Sequence, residues 1–252
     1  MRKVQILLFF FLLLLCTPAS GKDILKIGYF YLEPFIMEEE GAPDPIGVSV
    51  DYWEKLVAPA MGVQIEWVGP LPITRMYYYL ETGDIDTIFI VVKNPDREKK
   101  YLFSSRPFFK MHACLWVLKE SPLVSIRDIK QLNGWRIGFV EGSQINPFLK
   151  SDNVRIENAQ GMEYKLINFS KLFAKRLDAI YDHNEYTLAY EALRLGFRDK
   201  LRYVPIPAEP NYNFAAFTKN DRGRRFLKIY DSVNNALPSD AVEKIIKEYT
   251  EK

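Results

Sequence analysis

Apolar and polar residues follow two different periods along this chain. Residues 24–30 set Leu25, Ile27 and Tyr29 against Lys26 and Gly28, the period-two pattern of a strand. Residues 50–61 carry Trp53, Leu56, Val57, Ala60 and Met61 at helical spacing. Residues 64–68 predict a second short strand. Residues 73–82 predict a helix with Ile73, Met76, Tyr77 and Leu80 inward and Gly83 just past its end. Residues 87–92 form an unbroken β-rich run, as expected of a strand buried on both faces. The β-α-β-α-β order predicts a parallel or mixed sheet with helices packed on it.

The alternation continues. Residues 111–118 predict one further apolar strand, and residues 126–132 a short helix or turn ending at Gly134. Residues 136–140 predict a buried strand that runs into Gly142-Ser143, where a helix is expected to start. Helices are expected over residues 164–175 and 185–195, the second closed by Gly196, with a short strand at 179–181 between them. Late strands at 203–206 and 214–217 precede amphipathic helices over 224–237 and 241–249, with Ser239 as the expected N-cap of the last. The class is α/β, and a chain of 252 residues can bury one core or two.

The N-terminus stands apart from this pattern. Arg2 and Lys3 precede an apolar run over residues 4–16, interrupted only by Gln5. That run is shorter than the ~20 residues a membrane-spanning helix needs. Thr17-Pro18-Ala19-Ser20-Gly21 then supplies small residues, so residues 1–21 read as a cleavable signal peptide; an uncleaved anchor is the alternative. Cys16 follows Leu15, a poor context for lipid attachment. Cleavage would remove Arg2 and Lys3 and no acid, leaving 32 residues of each sign. Such a neutral chain has no basic excess for nucleic acid or an anionic membrane. Only Cys114 would remain, which excludes an internal disulfide.

Several segments then arrive in a telling order. They are Ile46-Gly47-Val48-Ser49-Val50-Asp51-Tyr52-Trp53, Leu80-Glu81-Thr82-Gly83-Asp84-Ile85-Asp86, Asn94-Pro95-Asp96-Arg97 and Phe103-Ser104-Ser105-Arg106-Pro107-Phe108. The turn, strand and Gly-Ser of residues 129–142, and Leu177-Asp178-Ala179-Ile180-Tyr181-Asp182, follow. Together they resemble the extracellular solute-binding proteins of family 3, the type that serves polar amino-acid ABC transporters. The resemblance implies two α/β lobes joined by two crossing strands, with a ligand held in the cleft between them. Lobe one would be residues 22–112 and 207–252, and lobe two residues 113–206. Closure of the lobes would be the functional motion.

The resemblance also points to site residues. Arg97 would grip a ligand carboxylate, since a guanidinium offers a planar fork of donors and each charge-assisted hydrogen bond contributes about 1.5–3 kcal/mol. The run Asp96-Arg97-Glu98-Lys99-Lys100 alone would equally fit a solvated arginine. Amino-acid binders usually carry Gly and Thr just upstream. Here Ile90, Val91, Val92 and Asn94 stand there, so a hydroxyl donor is missing, which points away from an ordinary α-amino acid. Arg75 is a cation at the start of a predicted helix, against the helix dipole, and is a second candidate. Gly142, Ser143 and Gln144 would offer backbone N–H groups and a hydroxyl from lobe two.

Asp182 or His183 falls where amino-acid binders pair with the ligand ammonium. Their neighbourhood has no matching second ligand pair for a metal. Tyr31, Glu33 and Phe35, with Tyr29, leave the first strand as expected cleft walls, and Ser104 or Ser105 is expected to line the cleft. Tyr77, Tyr78 and Tyr79 read as helix packing and surface. The expectation is a monomeric periplasmic binder of a small carboxylate-bearing or amino-acid-like ligand, without cofactor or catalytic residues. Its partner would be an ABC permease. The rival readings are a sensor that pairs with a membrane receptor, a dehydratase-like enzyme on the same scaffold, and an interaction protein with an empty cleft.

Overall fold

The structure is a computed structural model that describes residues 22–141, 145–160 and 163–251. The expected signal peptide at residues 1–21 and the expected anion loop of Gly142, Ser143 and Gln144 lie outside the described residues. No helix among the described residues is long and apolar enough to cross a membrane.

Two sheets organise the chain. The first is built on β1 (Asp23–Gly28), β2 (Val63–Val68) and β3 (Thr87–Val92), all parallel, with β1 between the other two. Leu25 and Ile27 of β1, Phe89 of β3 and Phe217 pack on one face; Ile88 and Val91 of β3 pack on the other. That two-faced burial is what the unbroken apolar run of β3 encodes. The second sheet runs in the order β10 (Leu201–Pro205), β6 (Cys114–Leu118), β9 (Ala179–Asp182), β7 (Arg136–Val140) and β8 (Arg155–Ala159). It too has a core on each face, one around Leu115, Ile137 and Tyr181 and one around Trp116, Phe169 and Ile180.

The expected single strand over residues 111–118 is in fact two. The short β4 (Leu102–Phe103) and β5 (Phe109–Met111) belong to the first sheet and β6 to the second, with His112-Ala113 between β5 and β6. Only His112 interrupts the apolar run at the crossing, too slight a mark in the pattern to reveal it. The chain returns between β10 and β11 (Asn211–Phe217), and β11 pairs antiparallel with β3 and β5. The two crossings are tied together by Ile206 N–H donating to Ala113 O at 3.0 Å.

The helices sit close to their expected places. A helical run starts as α1 (Val48–Asp51), widens into a π-helical stretch (Tyr52–Val57) and ends as α2 (Ala58–Met61). Gly47 precedes it at φ 130°, and a side chain there would strike Phe35 O at 2.7 Å. α3 (Ile73–Thr82) ends at Gly83 in the left-handed conformation, and α4 (Pro95–Lys100) is capped by Asn94. α5 (Tyr164–Phe173) and α6 (Thr187–Arg194) belong to the second lobe. α7 (Asp221–Ala236) packs on β11, and α8 (Ala241–Thr250) touches both α1 and α6. The N-cap of α8 is Asp240 rather than Ser239, because Ala241 already bonds back to Pro238 O.

One strand was invisible to the pattern. β8 reads Arg-Ile-Glu-Asn-Ala, with a single large apolar residue, because it is an edge strand paired only with β7.

Candidate functional site

The C-terminal ends of β1 and β3 in one sheet, and of β7 and β9 in the other, lead into the loops that carry the expected site residues. Carboxyl ends of parallel strands are where α/β sheets place ligands. A cleft of about 830 Å³ opens between the lobes. Tyr31, Glu33 and Glu38 form part of its lobe-one wall, and Tyr164, Lys165 and Glu191 part of its lobe-two wall.

The lobe-one wall is held by a compact loop. Leu32 pairs with Ile36 and Met37 with Ile46, and the first amides of α1 donate to Pro34 O and Phe35 O. This leaves Tyr31 exposed at the rim, its ring 6.0 Å from that of Tyr29. Phe35 goes the other way. It is fully buried, stacked on Phe109 at 4.7 Å and edge-on to Tyr186 at 5.9 Å, so it is a core residue under the loop and not a cleft wall. Ser104 is also corrected. It is fully buried, its hydroxyl donates to Arg106 O at 2.9 Å and accepts from Ala215 N at 3.3 Å, and it is spent on holding the strands together.

Glu33 reaches lobe two. Its carboxylate accepts from Lys165 Nζ at 2.9 Å, and its backbone oxygen accepts from Thr187 Oγ1 at 3.4 Å. Thr187 is fixed in turn by Asn184, whose side-chain oxygen accepts from the amides of Tyr186 and Thr187 at the start of α6. Glu191 is almost fully buried and holds Arg194 through both its oxygens, at 2.7 and 3.1 Å.

Asp182 ends β9, with its Oδ1 accepting from Asn184 N at 3.2 Å. Burial pushes its carboxyl up to about 7, against the pull of the Asn184 and His183 amides and of the Lys165 ammonium. Burial, with Asp182, Glu33 and Glu191 adding to it, likewise pushes the Tyr164 hydroxyl up to about 12. His183 meets the Tyr181 hydroxyl through Nδ1 at 3.1 Å and packs edge-on to Phe139; burial lowers its affinity for a proton.

Neither of the expected arginines, Arg97 and Arg75, lines this cleft. Arg97 sits in α4 beyond the end of β3. Its Nη1 donates to Val92 O at 2.7 Å, and its guanidinium lies over the Tyr77 ring, 5.1 Å from the centroid. Tyr77 is stacked on Tyr101, so it both packs the helix and carries Arg97. Arg75 is exposed in the first turn of α3 and has no partner among the described residues. Upstream of Arg97, inside β3, the backbone is strained. Ile90 adopts φ 60°, a conformation a β-branched side chain rarely takes, where the β3–β11 register slips.

Of the expected residues, then, Tyr31 and Glu33 line the cleft and Asp182 interacts with charges on its wall. Lys165, Tyr164, Thr187 and the Glu191–Arg194 pair were missed. Lys165 had a signal, since it is a cation in the first turn of a helix, the feature that singled out Arg75.

A fold of two sheets linked by two crossings, with a cleft walled by both, defines a two-lobed periplasmic-binding-protein architecture. The profile of the bacterial extracellular solute-binding proteins, family 3, matches residues 25–252, and the chain belongs to that family. No curated protein matches it in sequence. Among solved structures, an ancestral cationic amino acid solute-binding protein is similar with a TM-score of 0.71 and 20% identity, over 91% of this chain and 96% of the other. The second substrate-binding domain of a putative amino acid ABC transporter from Streptococcus pneumoniae gives a TM-score of 0.71 and 21% identity, over 91% and 100%. The VFT2 domain of BvgS from Bordetella pertussis gives 0.64 and 19%, over 90% and 93%. At these identities the likeness is one of fold.

Proposed function

We propose that the chain is a periplasmic binding protein that captures a small carboxylate-bearing or amino-acid-like molecule between its lobes, for uptake by an ABC-type permease. The observation that carries this reading is the cleft itself. Both lobes furnish its walls, and among the described residues the chain passes between the two sheets at residues 112–113 and 206–210. Lobe one would be residues 22–112 and 207–252, and lobe two residues 113–206. A ligand that touches both walls favours the closed arrangement by its differential affinity for it, and a membrane partner reads that closure.

The family resemblance assigns Arg97 to the ligand carboxylate; Arg97 does not line the cleft in this structure, so the assignment requires lobe closure to bring the ligand to it. Its present partners, one carbonyl oxygen and an aromatic face, are a weaker match for a guanidinium than a carboxylate. The trade is favourable once a ligand enters. In this reading the protein acts by binding rather than by turnover, which the solute-binding description of its family supports. A sensory role beside a membrane receptor is the second reading, favoured by the likeness to a BvgS domain. The test is thermal stabilisation by a panel of small acids and amino acids. Wild type is expected to show a ligand-induced rise in melting temperature, and Arg97→Ala to lose it while keeping its unliganded melting temperature nearly unchanged. An unaltered rise in Arg97→Ala would remove Arg97 from the site.

A further inference from the structure

Lys165 is oddly placed for a surface lysine. It sits in the first turn of α5, where the helix dipole disfavours a cation and no acid of that turn offsets it. Its side chain is only 17% exposed, and its ammonium crosses the cleft to Glu33 on the other lobe at 2.9 Å. The remaining cation of the cleft wall, Arg194, is committed to Glu191 through two hydrogen bonds. The inner carboxylates are therefore already matched, Glu191 by Arg194 and Glu33 by Lys165. Asp182 behind them is held by the Asn184 amide. The acids left over, Glu38 and Glu163, are exposed at the rim, where water and salt screen them.

We propose that Lys165 is the resident cation of the cleft, pairing from lobe two with Glu33, a carboxylate that a ligand ammonium could otherwise take, so that the site selects small carboxylic acids without an ammonium group over the matching α-amino acids. This rests on the ligand-binding reading above and narrows it to a chemical class. An incoming ammonium would either lie beside Lys165 as a like charge in a half-buried site, or displace it and leave it without its carboxylate. A ligand hydroxyl, oxo group or second carboxylate instead accepts from the Lys165 N–H groups that Glu33 does not use. Glu33 is 44% exposed, so the pair tunes what the cleft accepts without locking the lobes together.

The experiment uses pairs of probes that differ at the amino group: lactate and L-alanine, succinate and L-aspartate, 2-oxoglutarate and L-glutamate. Each is titrated calorimetrically into the mature wild type, Lys165→Met and Lys165→Arg. Wild type is expected to bind the acid over its amino partner by about tenfold or more, the factor that about 1.4 kcal/mol produces. Lys165→Arg is expected to keep that order and Lys165→Met to lose or invert it. A second arm needs no natural ligand: ethylammonium should raise the melting temperature of Lys165→Met, by restoring a cation beside Glu33, and leave wild type unmoved. The proposal is overturned if wild type prefers the amino acid in the pairs it binds, if Lys165→Met keeps the wild-type order, or if ethylammonium stabilises both proteins alike. Should no probe bind any of the proteins, the uptake reading loses these ligand classes, and the ethylammonium arm still decides the role of Lys165.

Discussion

Asp182→Asn tests the electrostatics of the cleft wall without any ligand. The substitution keeps the shape of the side chain and an oxygen to accept from the Asn184 amide. It removes an acid that burial raises from the ordinary carboxylate range to about 7. Between the unfolded value of about 3.9 and that folded value, the native state holds the proton more tightly than the unfolded chain, so stability falls as pH rises through this window. Each unit contributes about 1.4 kcal/mol, giving a ceiling of about 4 kcal/mol that is fully expressed only above pH 7. Water at the cleft edge lowers this, and about 2 kcal/mol is a fair working figure. For a chain of this size that corresponds to about 2–4 °C per kcal/mol. Differential scanning fluorimetry should therefore show Asp182→Asn melting roughly 4–8 °C above wild type at pH 8, and close to wild type at pH 4. A difference that is the same at both pH values, or that grows towards acid, would refute the assignment of a raised carboxyl at this position.

Two further variants separate core from cleft. Phe35→Ala removes a fully buried ring from between Phe109 and Tyr186, and urea unfolding should show a loss of about 3–5 kcal/mol; a loss under 1 kcal/mol would return Phe35 to the cleft. Ser104→Ala takes the hydroxyl acceptor from the buried Ala215 amide, while Arg106 O keeps the Asn234 amide, so stability should drop by about 1–3 kcal/mol while the affinity for ligand stays the same. A weaker ligand response at unchanged stability would place Ser104 in the site instead.

Much of the fold was legible because its elements obey a single period. α3 was bounded correctly by its helical period and by Gly83, although Ile73, expected inward, is 51% exposed and only Met76 and Leu80 are buried, and β3 by an apolar run buried on both faces. What escaped had a physical reason. The crossing at His112-Ala113 breaks the apolar pattern only at His112, since the residues on either side are buried in different lobes. β8 is an edge strand and needs few apolar residues. The site was harder. Phe35 leaves the first strand at the cleft edge in sequence, yet the bridges in the 32–46 loop turn it under the wall. Lys165 and Glu33 lie 132 positions apart, and only the crossing topology makes them neighbours.

The central claim is that two lobes close on a small molecule held between them. Small-angle X-ray scattering of the protein, first stripped of bound compounds by partial unfolding and then saturated with the acid that stabilises it most, tests this directly. The radius of gyration should shrink on saturation, and should not shrink in Arg97→Ala under the same conditions. A radius that stays constant in wild type at full occupancy would contradict the account.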